Sequence, residues 1–250
     1  MDAVCGIGNA MVQEIAVPDV AALLPPSRLL WAAELPRGLF GLAELLAART
    51  RLKTAPRGDG RPVMILPGLI NTDRSNALLL RFLRTLGYRV EGWGLGRNLG
   101  TKAIGREGEI LMERIAALHA ETGAPVTLIG VSLGGIMARI AAHRAPDLVR
   151  EVVTISSPYA GSARATNVWR SFEFFTGDRL DDDHVVAQAA LAATPLPVPE
   201  TAIWSRSDGL VAGEICHAPG SRAIEVRSSH IGVQWRAEVM MAVAGILAAR

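Results

Sequence analysis

A chain of 250 residues, half of them apolar and 20% charged, is long enough to bury a substantial core within one large α/β domain. A formal charge of only +2, an aromatic content of 5% and the lack of a dense Lys/Arg cluster give nucleic acid little to bind. Cys5 and Cys216 make no disulfide framework, and the N-terminus lacks the basic-then-apolar order of a signal peptide. The longest nearly uncharged helical stretch, residues 239–249, is about half the length that spans a bilayer. The expectation is a soluble, cytoplasmic protein with free thiols.

Residues 1–61 form a prelude, expected as a helical extension packed on the core. Pro25, Pro26 and Pro36 each favour a break before them, and residues 39–48 suit a short amphipathic helix with Leu42, Leu45 and Leu46 near one face. A helical wrap is one reading of this prelude. The other is a surface that makes weak contact with membrane, lipid or a partner through Leu29, Leu30, Trp31, Leu39 and Phe40. Residues 57–62 read as a polar turn or linker.

Regular alternation begins at residue 62, and 62–250 is expected as the main domain. Strands are expected at 63–66, 88–91, 125–129, 149–155, 201–204 and 223–226. Helices are expected at 75–86, 106–121, from the turn near 132 to about 145, and 234–250, with Ser75 as a candidate cap. Strands separated by helices imply a mainly parallel sheet of about six strands with helices on both faces. The alternation lapses between Pro158 and Pro199, where Trp169, Phe172, Phe174 and Phe175 concentrate. This stretch reads either as a small helical cap or lid insertion, 159–199, or as a pair of ordinary packing helices.

The sequence Gly130-Val131-Ser132-Leu133-Gly134 joins an apolar strand directly to a helix. That is the form of a nucleophile elbow, which exposes a serine hydroxyl on a sharp turn. A serine needs a base within hydrogen-bond reach and an acid behind that base. Asp208 follows the strand at 201–204 and His230 follows the strand at 223–226, each just past a C-terminal strand end where open α/β sheets place their sites. His184, in the insertion, is the rival base. His143 lies behind the serine, His119 nears a helix end and His217 sits in a loop. Asp181, Asp182 and Asp183 read as a solvated capping cluster. Two N–H donors complete the site: Leu133, at the helix start, and Leu69, in the loop after the first strand, with Ile70 next in line. Asn71 and Asp73 are expected to brace that loop locally. The glycine-rich 91–100 stretch lacks the Gly-Lys-Ser/Thr ending of a phosphate loop and reads as a pocket rim in which Arg97 and Asn98 tie loops together. No cofactor is implied, and no compact His/Asp/Cys spacing points to a metal.

With Leu66-Pro67-Gly68, the 130–134 elbow, Ser205-Arg206-Ser207-Asp208-Gly209 and Ser229-His230, the chain resembles the α/β-hydrolase superfamily, in its bacterial lipase/esterase-like branch. The likeness runs from about 62 to 249. It implies Ser132 as nucleophile, His230 as base, Asp208 as acid, Leu69 and Leu133 as oxyanion donors, and ester hydrolysis through an acyl-enzyme without a cofactor. The apolar surroundings suit a small-molecule ester with a hydrophobic acyl group. Acyl transfer, thioester cleavage and amide cleavage use the same triad and stay open, as does a noncatalytic binding protein on the same fold. The residue before Pro67-Gly68 is Leu66 where the family commonly has histidine, and no antiparallel strand pair is evident before residue 62.

Overall fold

The computed structural model describes residues 23–249, so Cys5 lies outside the described residues. In chain order the elements begin with helices α1 (Arg28–Ala32), α2 (Glu34–Ala47) and α3 (Arg49–Leu52). Then follow β1 (Pro62–Leu66), α4 (Ala77–Leu86), β2 (Arg89–Gly92), α5 (Thr101–Ile104), α6 (Glu109–Thr122), β3 (Val126–Val131), α7 (Leu133–Arg144) and β4 (Val149–Ile155). The chain closes with α8 (Trp169–Thr176), α9 (Asp183–Ala193), β5 (Glu200–Trp204), β6 (Ala223–Glu225) and α10 (Ala237–Ala248).

The six strands form one sheet in the order β2-β1-β3-β4-β5-β6, every pair parallel. The order reverses between β1 and β3, so a cleft opens beyond their C-terminal ends. The loops after β1 and β3 carry Leu69 and Ser132 to that cleft.

The two-residue period of the strands sorts the core. Val63 and Ile65 of β1 pack with Leu79 and Leu83 of α4 and Val243 of α10, while Met64 and Leu66 pack with Leu111 and Ile115 of α6 and Met137 of α7. Burial on both faces explains why β1 reads as an unbroken apolar run and β3 as one interrupted only by Thr127 and Gly130. Each large apolar side chain taken fully out of water contributes about 1.5–3 kcal/mol.

The boundaries depart from expectation where local chemistry intervenes. Pro36 does not break a helix; it occupies the first turn of α2, where its missing N–H has no partner to lose. Gly105 and Gly108, both at positive φ, delay the start of α6 to Glu109. Ser75 does not cap α4: Thr72 accepts from the Arg74 N–H at the head of a short 3-10 turn, Asp73–Asn76, that precedes it.

The largest departure is the face that α2 buries. Its buried residues are Glu34, Gly38, Gly41 and Leu45, whereas Leu35, Leu39, Phe40, Leu42 and Leu46 are exposed. A Cβ on Gly38 would stand 2.8 Å from the Ile231 carbonyl oxygen, so only a glycine lets the helix come this close. The leucine-rich face therefore points outward, and the helix docks through its smallest residues. Among the described residues no helix is long and apolar enough to cross a membrane.

Candidate active site

Ser132 lies between β3 and α7 with φ 52 and ψ −120, a backbone conformation that residues with side chains rarely adopt. Neighbouring contacts hold it there. Its N–H donates to the Ile155 carbonyl at 2.8 Å, and its own carbonyl accepts from Gly135 at 2.9 Å. Glycine is required on both sides of the turn: a Cβ on Gly130 would lie 2.3 Å from the Gly135 Cα, and one on Gly134 2.5 Å from the Leu66 carbonyl oxygen. The turn leads directly into α7, whose first N–H groups, beginning with Leu133, have no partner within the helix ladder.

The loop after β1 runs alongside this turn. A Cβ on Gly68 would lie 3.4 Å from the Ser132 Cβ, and Leu69, Ser132 and Leu133 line one cavity. Ile70 is held at φ 58 and its N–H donates to the Asn98 carbonyl at 2.7 Å, so that donor is already engaged. The fully buried Asn98 fixes the loop from behind: its Nδ2 donates to the Pro67 carbonyl at 2.7 Å and its Oδ1 accepts from Gly100. Arg97 donates to the Ile70 carbonyl at 3.1 Å. Asp73 braces a different segment from the one expected. Its carboxylate accepts the Trp93 and Gly94 N–H groups, tying this loop to the end of β2, and burial raises its pKa against those two bonds.

Beyond the C-terminal ends of β5 and β6, His230 Nδ1 and Asp208 Oδ2 are 2.7 Å apart. The other Asp208 oxygen accepts from Leu210 and Val211 N–H groups at 2.8 and 2.9 Å, so the acid is fixed from both sides. Its side chain is 1% exposed and that of His230 11%. Burial pulls the imidazole pKa down, but the charge and hydrogen bond of Asp208, followed by the charge of Glu34, outweigh it, and the His230 pKa rises above its ordinary value. The loops carrying the pair are cross-linked by Ser205, whose hydroxyl donates to the Ser228 carbonyl and accepts the Ser228 N–H. Ser132 and His230 are not hydrogen-bonded to each other in this structure.

The cavity over Ser132 holds about 450 Å³. Its walls are mainly apolar, with Leu111, Met137 and Ile140 from the core side and Val168, Trp169 and Phe172 from the 159–199 segment. At its rim the charges are paired, Arg144 with Glu107 at 2.8 Å and Arg164 with Asp181 at 3.0 Å. Segment 159–199 lines the pocket through both α8 and α9, and α9 also packs on α7, where buried Arg139 donates to the Ala192 and Thr194 carbonyls and pairs with Glu200.

The remaining sequence candidates lie elsewhere. His184 faces Asp178 at 3.3 Å and Arg106, not Ser132. His143 bonds Thr194 across the back of α7, and His217 stacks near Trp204. Asp182 precedes α9 but its side chain accepts the Arg179 N–H behind it and makes no cap bond into the helix. Although the sequence spacing pointed to no compact ligand set, Asp178, Asp182 and His184 gather within 4.8 Å. Asp178 accepts the Thr101 hydroxyl at 2.6 Å, so these groups serve as a brace for the turn before α9. Cys216 is buried, and burial followed by the nearby Asp208 charge pushes its thiol pKa well up, leaving it inert.

The residue missed from sequence is Glu34. Its two oxygens accept the N–H groups of Gly209 and Ile231 at 2.7 and 2.8 Å, one residue beyond Asp208 and one beyond His230. The available signal was a glutamate at the head of the helix followed by Gly38 and Gly41 on the same face.

Comparison with known proteins agrees with this architecture. A family model described as the alpha/beta hydrolase fold matches residues 113–195. A triacylglycerol lipase of Pseudarthrobacter phenanthrenivorans is 30% identical over 200 residues, covering 70% of this chain and 63% of that protein. One of Burkholderia plantarii is also 30% identical, covering 70% and 56%. The chain thus spans less than two thirds of the length of these relatives. In structure it is similar to a metagenome-derived lipolytic enzyme, 14% identical with a TM-score of 0.58 over 78% of this chain and 96% of that one. It is also similar to a Bacillus licheniformis lipase, 14% identical with a TM-score of 0.55 over 76% and 94%. The all-parallel sheet and these likenesses together show that the chain has the α/β-hydrolase fold, and that it is similar to lipolytic proteins of that fold.

Proposed function

We propose that the protein is a serine hydrolase of carboxylic esters with an apolar acyl group. The observation that carries this reading is the paired Asp208 and His230 beyond β5 and β6, on the same sheet edge as the strained Ser132 turn at an apolar cavity. In this reading His230 takes the Ser132 proton as the hydroxyl attacks the ester carbonyl. The Leu69 and Leu133 N–H groups receive the charge on the tetrahedral oxygen. The imidazolium then protonates the departing alcohol, and a water activated by His230 releases the acid and restores the serine. Asp208 keeps the imidazole in the tautomer that presents Nε2 to the serine.

The relatives named triacylglycerol lipases support an ester substrate, and the cavity lining supports an aliphatic acyl chain over a charged one. A panel of acyl esters of graded length, assayed with wild type and Ser132→Ala, tests both parts. Turnover that peaks with an apolar chain and vanishes in the variant supports the reading. No turnover, together with no labelling of Ser132 by an active-site phosphonate, overturns it. A second surface is part of the proposal: Leu35, Leu39, Phe40 and Leu46 of α2, flanked by exposed Arg28, Arg49, Arg51 and Lys53, suit weak contact with a lipid surface. Sedimentation with anionic liposomes that leaves the protein in the supernatant removes that part.

A further inference from the structure

Resting on the triad reading above, we infer that Glu34 is a positioning residue, a single buried carboxylate that sets the register of the acid and base loops relative to one another. Its side chain is 2% exposed and reaches from the N-terminal helical segment to two loops roughly two hundred residues away in sequence. The Oε1 atom accepts from the residue after Asp208 and Oε2 from the residue after His230. Two acceptors on one planar group fix the distance between those two amides, and hence between the loops that bear the pair. No neutral side chain of this shape supplies two acceptors; glutamine would turn an N–H₂ donor toward one of the N–H donors.

The helix that delivers Glu34 is seated on the same loops. Arg37, one turn further along, donates to the carbonyl and the hydroxyl of Ser207 at 2.6 and 2.8 Å, and lies 3.9 Å from Glu34. A Cβ on Gly38 would press on the Ile231 carbonyl, and one on Gly209 would stand 2.4 Å from the Leu30 carbonyl oxygen. Contact on both sides is therefore tight enough that displacing Glu34 displaces the loops. The charged and titratable groups facing the His230–Asp208 pair are Glu34 and Arg37 from α2 and Cys216 behind Asp208, with the Glu44–Arg236 pair further along α2. Of these, Glu34 is the second negative charge that favours the imidazolium.

Full-length wild type, Glu34→Gln and Gly38→Ala are compared by ester kinetics, pH–rate profiles and NMR titration of the His230 ring, with circular dichroism verifying the fold. Glu34→Gln is expected to lower kcat about 10- to 100-fold with KM within about twofold, because the acyl cavity is built by elements that Glu34 does not touch. The His230 pKa falls, and the acid limb of kcat/KM moves to lower pH. Gly38→Ala, which keeps the charge and displaces the loop, lowers kcat without that move; it carries the test if Glu34→Gln does not fold. A folded Glu34→Gln with wild-type kcat and an unmoved His230 titration overturns the assignment, as does a loss confined to KM or to thermal stability. If wild type hydrolyses no ester while the His230 pKa still depends on Glu34, the hydrolase reading fails and the positioning role stands.

Discussion

At the head of α7 and along the buried face of α2 the chain uses one device, glycines that let a helix touch a neighbouring backbone, on opposite halves of the same site. At α7 the partners are local: Gly130, Gly134 and Gly135 close a strand–turn–helix against adjacent strand ends, and the serine conformation is settled within a few residues. At α2 the partners are remote: Gly38 and Gly41 admit the loop and side chain at Ile231 and Arg236, and Glu34 links loops carried by β5 and β6. The first contact shapes one reactive group. The second aligns two groups that the sheet alone leaves on separate strands. Local close packing sets the Ser132 backbone, and long-range close packing sets the spacing of the Asp208 and His230 loops.

The largest expected effect falls on the α7 side. Ser132→Ala should reduce kcat about 10⁶-fold with the melting temperature near wild type, measured on the best ester of the panel. Asp208→Asn should cost about 10⁴-fold by losing the tautomer control of His230. Its pH profile is equally informative. In wild type the base must be neutral and its pKa is raised, so the acid limb of kcat/KM should lie above about pH 6.5; Asp208→Asn should move that limb down. Because the folded pKa exceeds the unfolded one, the stability from the protonated pair is full below about pH 6.5 and is lost as pH rises through the folded value, which denaturant midpoints across pH will read.

Smaller effects separate the two helices as packing units. Gly134→Ala forces a methyl group against the Leu66 carbonyl and should destabilise the fold by about 1–3 kcal/mol with loss of turnover. On α2, Leu45→Ala should cost about 2 kcal/mol, the low end for a buried leucine, whereas Leu39→Ser should change stability by less than about 0.5 kcal/mol. Urea midpoints of the two variants decide which face of α2 is inside. Equal losses would contradict the orientation described.

Much of this site was legible because its determinants are short-range. The elbow is written in five consecutive residues, and β1 and β3 announce themselves as largely apolar runs buried on both faces. Asp208 and His230 were readable from their places just past strand ends. The engagement of the Ile70 N–H by the Asn98 carbonyl was not legible, since its partner lies twenty-eight residues further along the chain. The docking of α2 was not legible, because leucine spacing reports amphipathicity without saying which side a second surface will cover. Here satisfying two backbone N–H groups and closing on two glycines outweighed burying Leu39 and Leu46. Asp73 eluded local reasoning for a similar reason, since its partners lie twenty residues further along the chain.

Buried Arg139 has a mechanical consequence. It sits near the middle of α7, the rod that begins immediately after Ser132, and its guanidinium is engaged by the Ala192 and Thr194 carbonyls, Glu200 and the face of the Tyr159 ring at 3.7 Å. Pulling that group free would strand a charge, a cost of about 3–5 kcal/mol. Segment 159–199 is therefore pinned at its α9 end to the helix that begins immediately after Ser132. A load on the cavity wall at Val185, Ala189 and Ala192 is thereby passed to the helix that starts beside Ser132.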